Sequence, residues 1–126
     1  MSSVAITIPD ALGKPRQTRA DKWKQRPAVM RYRAFADLAR LCAGRRLDKL
    51  RPDHVDLAFT FEMPKSWSKK KRSEMLGQPH RQKPDLDNAA KAVLDSLWED
   101  DSAIWKLTAT KHWGPADQTV VTVTEV

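Results

Sequence analysis

The sequence predicts a small α/β domain, a mixed β-sheet packed with helices in the order strand, helix, strand, basic loop, helix, strand, strand. Short runs rich in β-branched residues supply the strands, and two longer stretches place apolar residues at helical spacing. The length of 126 residues is that of one compact unit with a modest core, so a single domain over residues 1–126 is expected.

Val4-Ala5-Ile6-Thr7-Ile8, stopped by Pro9, reads as the first strand. Residues 9–26 read as an exposed loop. Lys14, Arg16, Arg19, Lys22, Lys24 and Arg26, with Trp23 among them, suit phosphate contacts and suit a solvated surface equally well. From Pro27 the pattern is helical, with Ala28, Phe35, Leu38, Ala39 and Cys42 near one face and Gly44 as the stop. His54-Val55-Asp56-Leu57-Ala58-Phe59-Thr60-Phe61 alternates polar with apolar and forms the second strand, ended by Pro64.

Residues 65–83, KSWSKKKRSEMLGQPHRQK, show no sustained period and read as a mobile loop. Lys69, Lys70, Lys71 and Arg72, with Arg81 and Lys83 beyond them, are expected to neutralise phosphates. Leu86, Ala89, Ala90, Val93, Leu94, Leu97 and Trp98 then mark an amphipathic helix, with Asp85 at its N-cap. Asp87, Lys91 and Asp95 recur every four residues, and their simplest role is a pair of helix ion pairs. Glu99-Asp100-Asp101 close that helix where the macrodipole prefers cations, so local structure gives no reason for three acids there. Residues 104–110 and 119–124 read as strands, joined through Gly114-Pro115-Ala116-Asp117 as a hairpin.

The composition, 40% hydrophobic and 31% charged, is globular. No apolar run approaches the roughly 20 residues of a membrane-spanning helix, so no membrane partner is expected. The N-terminus does not read as a signal peptide, which makes a cytoplasmic location the expectation. Cys42, the only cysteine, can form no internal disulfide and reads as a small core residue. The net charge of +7 points to an anionic partner. Its distribution is more informative. Residues 1–64 carry 13 Lys/Arg against 7 Asp/Glu, residues 65–83 carry 7 against 1, and residues 84–126 carry 3 against 8. An acidic C-terminal third allows carboxylates to hold a cation while distant lysines and arginines hold phosphates; chance clustering gives the same totals.

Asp85-Leu86-Asp87 sets two carboxylates where a loop becomes a helix, and Asp100-Asp101 sets two more just after it. A 13-residue helix is about 20 Å long. A shared site therefore needs either a following chain that folds back to the helix start or a second copy of the protein.

Lys83-Pro84-Asp85-Leu86-Asp87-Asn88, then Lys91 and Asp95, then Asp100-Asp101 before a hydrophobic strand, resembles the RusA family of Holliday-junction resolvases, many of them prophage-encoded. The strongest similarity runs from about Met63 to Ile104. The loop IPDALGKPRQTR departs from the Pro-Ser-Asn type of sequence associated with that family. The resemblance implies that Asp85, Asp87 and Asp101 are catalytic, metal-holding carboxylates, with Asp100 the less certain member of the later pair, and that Lys91 is an essential basic residue. It further implies a homodimer that cuts a four-way DNA junction by paired symmetric nicks in recombination and repair. The expected cofactor is Mg²⁺, with Mn²⁺ as a substitute, because carboxylate-bound Mg²⁺ supplies both a nucleophilic water and a counter-charge for phosphate. Two other readings stand beside it: a non-catalytic module that clamps branched DNA, and a related metal nuclease acting on flaps or single strands.

His54, His80 and His112 lack a metal-ligand pattern and read as surface or strand detail. Trp98 and Trp105 read as core or dimer-interface residues, and Trp23 and Trp67, in basic loops, as the candidates for stacking on bases.

Overall fold

A computed structural model of the chain describes residues 2–15 and 26–126. Four strands and three helices follow one another as β1 (Ser2–Ile8), α1 (Pro27–Ala43), β2 (His54–Glu62), α2 (Lys69–Met75), α3 (Leu86–Leu97), β3 (Lys106–Gly114) and β4 (Gln118–Glu125). The strands form one mixed sheet in the order β1-β4-β2-β3. β4 runs antiparallel to both of its neighbours, and β3 lies parallel to β2.

Alternation in the strands gives the sheet two unlike faces. Ile6, Ile8, Val55, Leu57, Phe59, Val121 and Val123 are fully buried on one face, where α1 and α3 pack. Ala5, Thr7 and Ala58 on the other face are exposed.

Pro27 begins α1 after an extended Arg26, and Gly44, at φ +53°, ends it by donating its amide to the Arg40 carbonyl. The helix buries Val29, Phe35, Ala36, Ala39 and Ala43, and Leu38 and Cys42 pack against the core; of the expected face only Ala28 is exposed. Cys42 is only partly buried. All seven apolar positions expected of α3 are buried or packed against the core, and Ala92 is fully buried besides. The small Ala89, Ala90 and Ala92 let α3 wedge between the sheet and α1, which covers more than one stripe of it.

Two expectations are corrected. The basic segment is not a loop throughout: Ser68 accepts a hydrogen bond from the Lys71 amide and starts the short helix α2. Nor do the last two strands make a hairpin, because β2 lies between them. The connection crosses the end of β2, where the Glu62 amide donates to Asp117 Oδ1 (2.8 Å) and the Met63 amide to the Gly114 carbonyl (3.0 Å). A Cβ on Gly114 would lie 2.2 Å from Thr60 Cγ2, so only glycine fits this crossing. β2 takes the inner position because it carries the strongest apolar alternation. β3, with Lys106, Leu107, Thr108 and Thr110 exposed, is left at the edge.

Candidate active site and nucleic-acid interface

The parallel pairing of β2 with β3 fixes the direction of α3 between them. At its start, Lys111 of β3 donates from Nζ to the carbonyls of Gln82 (2.5 Å) and Pro84 (2.7 Å), pinning the loop that leads into Asp85. At its far end, the amides of Trp105 and Lys106 donate to the Asp53 carbonyl just before β2.

Asp85 occupies the N-cap position of α3, but its side chain caps nothing. It accepts instead from Lys83 Nζ at 2.8 Å. That bond, then the Lys83 charge and the more distant Lys111 charge, hold the Asp85 carboxyl below its ordinary value of 3.8, and the same pairing raises the Lys83 ammonium. Asp85 is therefore ionised at neutral pH. Asp87 and Lys91 are exposed on the next turns. The expected ladder of ion pairs is not formed: among the described residues neither Asp87 nor Lys91 has an ion-pair partner, and Asp95 is bound by Lys14. The helix-stabilising explanation of this acidic and basic face thus loses its contacts.

Residues 9–15 dock on the same helix start. The Lys14 amide donates to the Asn88 carbonyl at 3.1 Å, and a Cβ on Gly13 would lie 2.6 Å from Pro84 Cβ. Asp10 holds this loop to α1 through two bonds from Arg31, at 2.5 and 2.6 Å. The Lys14 ammonium is engaged by Asp95 and lies 5.7 Å from the Tyr32 ring centroid. Arg16, Arg19 and Trp23 lie outside the described residues.

Asp100 and Asp101 are exposed at the other end of α3. The Asp100 carboxylate accepts the Ser102 amide at 2.9 Å, which lowers its pKa, and the Asp101 carbonyl accepts the Ile104 amide. The 12 residues of α3 separate the two acidic pairs by about 18 Å along the helix axis. Among the described residues of one chain, no group of three His, Cys, Asp or Glu side chains could hold a metal ion. Asp85 and Asp87 together suit a hard cation that takes one or two carboxylates and keeps several waters.

The basic residues divide by role. Lys69 and Lys70 are exposed and make no ion pair among the described residues. Arg72 turns inward and donates to the carbonyls of Met63 and Pro64, at 3.5 and 3.1 Å, joining α2 to the end of β2. Lys71 Nζ stands 4.5 Å from the Trp67 ring centroid. Trp67 begins a column of rings: its centroid is 4.8 Å from Trp113, Trp113 is 4.2 Å from His80, and His80 is 4.7 Å from Phe61.

His80 is therefore not surface detail. It is 5% exposed, its Nδ1 has no hydrogen-bond partner among the described residues, and burial, followed by the Lys111 charge, lowers its pKa. Trp105, at 67% exposed, is not a core residue, and its Nε1 donates to Asp53 Oδ1 at 3.1 Å.

The contributions of Lys111, Trp113 and His80 escaped sequence reasoning. The alternation Leu107, Ala109, Lys111, Trp113 was the available signal: continued to Gly114, the strand puts Lys111 and Trp113 on the helix-covered face at the level of the helix start.

Among the described residues no helix is long and apolar enough to cross a membrane. No curated protein matches the chain. The profile of a known family does match: endodeoxyribonuclease RusA, over residues 7–124. The match takes in the carboxylates at both ends of α3, the basic helix, β2, β3 and nearly all of β4, and the chain belongs to the RusA family of Holliday-junction-resolving endodeoxyribonucleases.

Proposed function

We propose that two copies of the chain form a Mg²⁺-dependent endonuclease that resolves four-way DNA junctions by paired symmetric nicks. Each site takes Asp85 and Asp87 from one protomer and the partner's Asp101. The observation that carries this reading is the exposed, unladdered carboxylate pair at the start of α3, beside a basic surface, in a chain of this family.

The free edge of β3 supports the shared site. Residues 106–110 pair with β2 on one side only, and Trp105 and Leu107 beside that edge are 67% and 47% exposed. Two β3 edges meeting antiparallel about a two-fold axis would set the start of one α3 against the end of the other. The partner's Asp101 then approaches Asp85 and Asp87, as its own chain's Asp101 cannot.

A bound Mg²⁺ supplies counter-charge to the phosphate and lowers the pKa of water. The chain's own residues do the rest. Asp85 and Asp87 would hold the cation, Asp85 with its carboxyl kept below the ordinary range by Lys83. Lys91, one turn beyond Asp87 and without a carboxylate partner among the described residues, places its ammonium where charge builds on the phosphate oxygens. Lys69, Lys70 and Arg81 bind neighbouring phosphates.

The test is cleavage of a labelled four-way junction by the wild type and Asp87→Asn at matched binding, in Mg²⁺ and in EDTA. Symmetric nicks abolished by EDTA and by the substitution, with binding retained, support the reading. A second reading, a non-catalytic module for branched DNA, draws on the separation of Asp101 from the other two carboxylates within one chain. It predicts binding without cleavage in Mg²⁺.

A further inference from the structure

Trp67, Trp113 and Met75 wall a cleft of about 380 Å³ beside the basic helix, with Lys71 and Arg81 at its rim. We propose that this cleft binds one unstacked nucleotide of the DNA, its base against the tryptophan wall and its phosphates against Lys71 and Arg81. The inference rests on the chain's acting on branched DNA and adds to it a base-recognition site outside the carboxylates.

Size, charge and chemistry agree on this occupant. The volume is at the small end of ligand clefts, suited to a single base and too small for a duplex. Among the described residues no acidic side chain lines it, and the segment 65–83 that supplies most of its walls carries 7 Lys/Arg against 1 Asp/Glu. Lys71 and Arg81 have no ion-pair partner among the described residues, so both cations are available to phosphate. Lys71 already rests over the Trp67 ring, and a phosphate arriving with a stacked base would draw that ammonium to the rim.

Gln78 and Gln82 also line the cleft, and each carries a side-chain amide that can donate to and accept from a base edge at once. The wall is stiff: Trp113 is 5% exposed and backed by His80 and Phe61, and the Gly77 amide and Gln78 carbonyl bond to Trp113 of β3. Rigid aromatic walls hold bases without reordering on contact.

Placement makes the cleft relevant to cleavage. Gln82 lies three residues before Asp85, a reach of at most about 11 Å along the chain, or roughly three stacked base steps. The Gln82 edge of the cleft is thus within a few nucleotides of the bond beside Asp85 and Asp87. Unstacking is easiest where pairing is interrupted, so the cleft would favour branch points over continuous duplex.

The test measures binding of full-length protein, by fluorescence anisotropy in EDTA, to a labelled ten-nucleotide oligothymidylate and to an abasic strand of equal charge. The wild type is expected to prefer the base-bearing strand by about ten-fold, the worth of one good stacking contact. Trp67→Ala should reduce that preference to under about two-fold without changing abasic binding, and Trp67→Phe should keep most of it. Gln82→Ala, at an exposed position, should lower only the base-dependent part and serves if Trp67→Ala fails to fold. No preference in the wild type, equal losses on both strands, or dissociation of the dimer by Trp67→Ala would each overturn the proposal, the last making the cleft an interface between copies. Junction cleavage is scored separately. Base preference without cleavage keeps the cleft and removes the nuclease reading; cleavage without base preference does the reverse.

Discussion

A heterodimer carrying Asp87→Asn in one protomer and Asp101→Asn in the other should regain activity that neither homodimer has. Within one chain about 15 Å of α3 lie between Asp87 and the helix end, with Asp101 beyond it, a separation outside the span of any single cation's ligands at 2.0–2.1 Å. If each site takes its third carboxylate from across the two-fold axis, the heterodimer contains one intact site and one doubly substituted site. With one site of two working, the initial rate of nicking should be about half that of the wild type. The products should change as well, because one site cuts one strand: a supercoiled plasmid with an extruded cruciform should accumulate as nicked circles, with almost no linear form. Two affinity tags and co-expression isolate the heterodimer, and agarose gels resolve the products. A purified heterodimer as inactive as its parents would show that the carboxylates act within one chain and would refute the shared site. Paired cleavage by the Asp101→Asn homodimer would remove Asp101 from the site.

Further perturbations test the supports of this arrangement. Lys111→Met leaves the carbonyls of Gln82 and Pro84 without their cationic donor; a loss of about 1–2 kcal/mol is expected after allowance for water at this partly exposed site, with faster amide exchange before α3 and reduced cleavage. Gly13→Ala forces a Cβ onto Pro84 and should lower junction cleavage more than global stability, as read by parallel activity and urea-unfolding measurements. Phe35→Ala removes the largest fully buried side chain and should cost about 3–5 kcal/mol in urea unfolding. Asp53 accepts bonds from Arg51, Trp105 and the Val126 amide, and its pKa falls from 3.8 to about 2, the Arg51 bond contributing most. Its stabilising effect is complete above the ordinary value and disappears as pH falls through about 2. Asp53→Asn should accordingly unfold at lower urea than the wild type at pH 7, with the gap closing towards pH 2.

The two long helices were legible because their signals are local, whereas the short α2 (Lys69–Met75), with no apolar stripe of its own, was read as loop. Pro27 and Gly44 bracket α1, and the spacing from Leu86 to Trp98 describes the inward face of α3, since a helix repeats its own geometry every few residues. The carboxylate motif was legible for the same reason. Its residues are neighbours in sequence, and the family match over residues 7–124 agrees with the resemblance they carry. On the inward face of α1 only Ala28 was misplaced, its neighbour Val29 being the buried residue.

Strand partnership is a different kind of information. Residues 106–114 and 118–125 are separated by a short Pro-containing link, which reads as a hairpin until the apolar alternation of β2 claims the place between them. That insertion depends on the competition of all four strands for burial. It also sends Lys111 to the loop before Asp85, brings Trp113 and His80 to Trp67, and leaves Asp101 at the opposite end of the helix from Asp85 and Asp87. The sequence by itself determined the two long helices, the strand segments and the family to which the chain belongs. Only the tertiary structure decided which side chains meet within one chain, because contacts between distant segments are set by the sheet order that buries the most apolar surface, and no local pattern encodes that order.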